Sequence, residues 1–263
     1  MNARLAEPLN YARFFVDQLL PADAETAIYL DSDVTVRASL VDLDAVARRK
    51  FAANTSALVA VVPREYKNVC RGFVNCRHPA IRRVFPRPEA ELHAFNAGVV
   101  VFHVRRWAAQ HVRDKAKAWI LENAKTAERQ HRVYTLGSNP PFMLVVGRRW
   151  AALDHRWNCM RGLRRQRLHN TRCWADAYVR HFPGGRKPWE LAAGDRRALG
   201  YDFVVPPACA ALNASTFAAM KSDAGRGERR AARAANAARR RKRPSGAPKA
   251  DRVPKWVHVV GER

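Results

Sequence analysis

The chain has 263 residues, 48% of them hydrophobic and 27% charged, values that suit one large or two small folded domains and exclude disorder from end to end. Lys and Arg outnumber Asp and Glu by 48 to 23, a formal charge of +25, so a polyanion is the first partner to consider. No apolar run approaches the roughly 20 residues that cross a bilayer, and the start MNARLAEPLN has neither the basic nor the apolar region of a signal peptide.

Asn10 to Leu20 places Tyr11, Phe14, Phe15, Leu19 and Leu20 at helical spacing and stops before Pro21, which predicts an amphipathic helix. Short β-favouring runs follow at Ala27 to Leu30 and Val34 to Val36, interrupted by Asp31, Ser32 and Asp33, and another lies at Leu58 to Val62. Phe95 to Val104 reads as a buried strand, and Arg105 to Lys125 as one helix carrying Trp107, Val112, Ala116, Trp119 and Ile120 at helical intervals. Phe142 to Val146 follows Pro140 and Pro141 and reads as a short helix with proline in its first turn.

From Ala208 onward aromatic residues almost vanish while Ala, Arg and Lys dominate, so the chain divides into a 1–207 domain and a disordered basic tail over 208–263. Residues 221–263 carry +10 and residues 1–220 carry +15, so the body is basic without the tail. Five cysteines are too few for a disulfide scaffold, and an odd number leaves at least one thiol outside any intramolecular pair. Cys70, Cys76 and His78 hint at zinc, but no second ligand pair follows at the usual spacing.

Two stretches carry chemistry. Asp31 and Asp33 end a strand two residues apart, where extended backbone projects both carboxylates to one side and lets them share a hard divalent cation; a polar turn explains the same triplet without any ligand. His181-Phe-Pro-Gly184-Gly-Arg-Lys187-Pro188-Trp189 joins an imidazole, glycines that admit close backbone approach and a cation, a combination suited to gripping a diphosphate.

Set in order, Asn10-Tyr-Ala-Arg13-Phe, Tyr29-Leu-Asp31-Ser-Asp33-Val, Phe95-Asn96-Ala-Gly98-Val and His181-x-x-Gly184-x-x-Lys187-Pro188-Trp189 resemble glycosyltransferase family 8 from about Leu9 to Pro206. Gly137 to Gly147 and Leu153-Asp-His-Arg-Trp-Asn158 resemble its galacturonosyltransferase-like branch. The resemblance implies an α/β fold of GT-A type and a retaining hexosyltransferase that moves a sugar, galacturonate in that branch, from a UDP-sugar to a polysaccharide acceptor. It also implies that Asp31, Asp33 and His181 bind Mn²⁺, that Gly184 and Lys187 contact the diphosphate, and that Arg13 and Asn96 face the donor sugar. Arg13 also reads as an ordinary salt-bridged helix residue, and Asn96 as the holder of a turn.

Gly137, Ser138 and Asn139 stand where many family members carry an acidic or amide pair, so no catalytic nucleophile is assigned. Asp154 and His155 lie nearby but read equally well as a polar turn beside Trp157. Met1 falls just before the helix that follows the family's first strands, which leads us to expect an N-terminally incomplete sheet, a largely absent uracil pocket and reduced activity. The resemblance implies the Golgi if an anchor lies upstream. Arg239 to Arg243 supports a different reading, a noncatalytic polyanion binder in which the tail meets nucleic acid.

Overall fold

The computed structural model describes residues 8–70, 72–126, 128–135, 137–160, 173–184 and 187–188. One compact unit runs to residue 185, and Lys187 and Pro188 belong to a second. The expected 207/208 boundary and the basic tail lie outside the described residues.

Pro8–Phe15 forms a 3-10 helix that passes into α1 (Val16–Leu19). The sequence suggested a continuous α-helix, but 3-10 side chains repeat every three residues. Tyr11 and Phe14 therefore share the buried side, while Phe15 and Leu19 face outward, 42% and 68% exposed. Next come β1 (Thr26–Leu30), β2 (Val34–Val36), α2 (Leu40–Ala53), β3 (Val59–Asn68), α3 (Pro79–Val84), α4 (Pro88–Glu91) and β4 (His93–His103). α5 (Val104–Ala109), α6 (Val112–Ala124), α7 (Asn139–Val146), β5 (Trp150–Ala152), β6 (Cys159–Met160) and β7 (Val179–His181) complete the order.

The single helix expected over Arg105 to Lys125 is two helices, broken at His111, whose φ of +49° lies in the left-handed region. The core explains the break. On a continuous helix Val112 would sit about 140° around the axis from Trp107, yet both are fully buried. The α7 reading holds, with Pro140 and Pro141 in the first turn, where their missing N–H groups cost no helix bond.

The larger sheet runs β1-β4-β3-β5, antiparallel except for the parallel β3–β5 pair. Alternate residues feed two apolar layers. Val59 and Val61 join Phe14, Phe102, Trp107 and Phe142 on one face, while Ala60 and Val62 meet Leu43, Ala47 and Phe51 of α2 on the other. The β3–β4 register jumps from Val61↔Val100 to Val62↔Asn96, so Ala97, Gly98 and Val99 bulge. The bulge re-aims Gly98, whose carbonyl accepts from Asp31 N at 2.8 Å just beyond the last β1–β4 pair.

A smaller sheet, β2-β7-β6, stands beside this bulge. Val34 pairs with His181, and Met160 pairs with His181 from the other side. Disulfides join Cys70 to Cys76 and Cys159 to Cys173. The first disposes of a zinc site at Cys70 and Cys76, and His78 instead caps α3, its Nδ1 accepting from Ala80 N at 3.1 Å. Among the described residues no helix is long and apolar enough to cross a membrane.

Candidate metal centre

β1 delivers Asp31 to the edge of the bulge, and the turn to β2 returns Asp33 to the same place. Phe182 N donates to Asp33 O at 2.9 Å, tying that turn to the end of β7. One ligand atom from each of Asp31, Asp33 and His181 lies within 4.8 Å of the others. His181 Nε2 is 3.2 Å from Asp33 Oδ1 and 3.8 Å from Asp31 Oδ2. Two carboxylates and an imidazole form a donor set that fits a divalent first-row ion, and the spacing needs little adjustment to enclose one.

The two oxygens of Asp31 have different work. Oδ1 accepts from the Tyr29 hydroxyl at 2.7 Å and from Arg13 Nη2 at 3.3 Å, while Oδ2 faces His181. Tyr29 and Asp31 are two apart on one strand and so share a side. Burial, followed by the Asp31 carboxylate, raises the Tyr29 phenol well above its ordinary pKa against the opposing pull of Arg13, so it stays a neutral donor.

Arg13 is buried, its Nη1 donating to Ala97 O at 2.9 Å and to Asn139 Oδ1 at 3.3 Å, with its guanidinium 4.5 Å above the Tyr29 ring. The ordinary reading of an ion-paired arginine therefore describes its contacts, and the pair it makes is with Asp31 of the metal cluster. Asn96 is buried too, and its Oδ1 accepts from Gly98 N and from Asn158 Nδ2. Gly184 has φ +108°, which an L side chain adopts only with strain. Lys187 belongs to the second unit.

Asp154 caps the 3-10 turn His155–Asn158, accepting from Arg156 N at 2.8 Å and Nε at 2.9 Å. The hydrogen bond from Arg156 lowers its pKa, with burial opposing, and these contacts match the polar turn rather than a proton carrier. Sequence reasoning gave no role to Tyr29, Asn139 or Asn158. Tyr29 could have been found from its two-residue spacing to Asp31; Asn139 and Asn158 reach their partners across 126 and 62 residues and leave no local signal.

Comparison with known proteins identifies the family and the fold. The profile of the family described as Glycosyl transferase family 8 matches residues 1–193. "Probable galacturonosyltransferase-like 8" of Arabidopsis thaliana is 30% identical over 210 residues, covering 77% of this chain and 49% of that protein. "Glycosyltransferase 8 domain-containing protein 1" of Danio rerio is 27% identical over 192 residues, 69% of this chain and 52% of its own. The chain thus spans about half the length of the curated relatives it matches. The structure of the galactosyltransferase LgtC with donor and acceptor sugar analogues superposes with a TM-score of 0.52 at 18% identity, over 81% of this chain and 74% of that one. The fold is the α/β arrangement of the GT-A type.

Proposed function

Because the chain belongs to glycosyltransferase family 8, we propose that it acts as a retaining hexosyltransferase, moving galacturonate from a UDP-sugar to a polysaccharide acceptor. The observation that carries this reading is the convergence of Asp31, Asp33 and His181 at the end of β1. The choice of galacturonate leans on the names of the Arabidopsis relatives, and a body of +15 suits an acidic polysaccharide.

In this proposal Asp31, Asp33 and His181 hold Mn²⁺. A divalent ion there offsets the negative charge that builds on the β-phosphate as UDP departs. Tyr29 and Arg13 hold one oxygen of Asp31, which leaves the other turned to the cluster. Gly184 meets the diphosphate, and Arg13 and Asn96 lie on the donor-sugar side. The same reading implies the Golgi lumen if an anchor lies upstream, an oxidising compartment in which the two disulfides persist.

The test is to incubate the chain with UDP-galacturonate, UDP-galactose or UDP-glucose, with and without Mn²⁺, and to follow UDP release and the anomer formed by NMR. We expect Mn²⁺-dependent release, fastest with UDP-galacturonate and with retained configuration. No metal-dependent turnover of any donor would sink the reading.

A further inference from the structure

Three buried amide groups lead from the main chain to His181. Gly98 N–H, which can only donate, gives its hydrogen to Asn96 Oδ1 over 2.7 Å. Asn158 Nδ2 donates to that same oxygen over 2.9 Å and to the main-chain oxygen of Asn96 over 3.4 Å. With Nδ2 committed there, Asn158 presents Oδ1 to His181 Nδ1 over 2.8 Å. An amide oxygen only accepts, so His181 Nδ1 carries a proton. Turning Asn158 over would set its oxygen against two oxygens of Asn96. With Asn96, Asn158 and His181 4%, 0% and 2% exposed, solvent offers little relief from that repulsion.

We infer that Asn158 and Asn96 are positioning residues which hold the proton on His181 Nδ1, so that Nε2, the nitrogen facing Asp31 and Asp33, is the one offered to a metal. Gly98 serves the relay twice. Its N–H sets the direction of both amides, and a Cβ at this position would lie 2.2 Å from His181 Cε1 and 2.7 Å from Nδ1, so only glycine leaves room for the ring. Outer partners of this kind fix the tautomer and orientation of a metal-binding histidine, and their loss typically costs about 10–100-fold in metal affinity. The inference rests on the metal reading above for its purpose, though not for its geometry.

The test labels histidine with ¹⁵N in the full chain and reads the one-bond proton correlation of His181 Nδ1 without metal, assigned by its loss in His181→Gln. Mn²⁺ affinity is measured beside it by calorimetry. We expect the Nδ1 proton in the wild type and its loss in Asn158→Leu, with Mn²⁺ affinity about 10–100-fold lower there; Asn158→Asp should keep the proton, because one oxygen still accepts from Nδ1, while its other oxygen meets the two Asn96 oxygens and lowers stability. A role in packing only would rank the variants the other way, because leucine fills the space and aspartate buries a charge. An unprotonated Nδ1 in the wild type, or unchanged proton and affinity in Asn158→Leu, would overturn the inference. Should the leucine variant not fold, the wild-type and aspartate spectra decide alone. A wild type with the Nδ1 proton in place and no Mn²⁺ binding would support the relay and retire the metal reading.

Discussion

The two sheets of this molecule are held together by different physics. In the larger one the central strands β3 and β4 are clothed on both faces by apolar side chains, and aromatic rings crowd around Phe142, with Phe14, Phe95, Phe102 and Trp107 centred 5.6 to 5.9 Å away. In the smaller one the strands are two or three residues long; Val34 and Val179 lean on the α2 side of the larger sheet's core, and a disulfide, a capped turn and a chain of amide hydrogen bonds secure the rest. Apolar burial is non-directional and tolerates small displacements; hydrogen bonds fix orientation. The candidate metal centre sits where the two meet, with Asp31 on the first and His181 on the second.

Substitutions that strike one sheet and spare the other would sharpen this contrast. Phe142→Ala should have the largest effect, removing about 3–5 kcal/mol of stability while leaving the metal affinity of the folded fraction unchanged; denaturant melts and calorimetry check both halves. Asp33→Asn should do the reverse, lowering Mn²⁺ affinity by more than the ~100-fold upper cost of an outer partner with little change in melting temperature; Asp31→Asn should lower affinity as much but also cost stability, because it leaves the buried Arg13 guanidinium without its carboxylate. Equal affinity in both variants would break the comparison at its centre.

The double variant Cys159→Ser, Cys173→Ser opens a loop of sequence separation 14 and should cost about 2–3 kcal/mol. Its Mn²⁺ affinity should fall as well, because β6 then holds Asn158 and β7 less firmly. The smallest effect is expected at Asp154, whose folded pKa is lowered mainly by the Arg156 hydrogen bond. Its contribution is present above the ordinary carboxylate range and is lost as the pH falls through the depressed value. With the side chain 41% exposed, solvent screening keeps the contribution within about 0.2–1 kcal/mol. An acid titration of stability should lose that small increment in Asp154→Asn.

The same contrast explains what the sequence revealed. β1, β2, the start of β3, β4 and α7 were legible because apolar runs and paired prolines are local signals. The break at His111 was not, since only burial of both Trp107 and Val112 demands it. Asp31, Asp33 and His181 were found together through the order of the motifs, and Arg13 was singled out with them, but its pairing with Asp31, 18 residues on, left no local signal. Asn158 was quoted within a motif without a role, because its partners lie 62 and 23 residues away. The pairing of Cys159 with Cys173 was equally hidden, as cysteine spacing does not declare connectivity.

The account stands most directly on whether His181 and the two carboxylates take up one divalent ion, and pulsed EPR of Mn²⁺ added to the chain measures this. The prediction is one bound Mn²⁺ whose spectrum carries nitrogen coupling from a single imidazole. That coupling should shift on ¹⁵N-histidine labelling and vanish in His181→Gln, with binding lost in Asp33→Asn. Mn²⁺ that fails to bind, or that binds without imidazole coupling in the wild type, would contradict it.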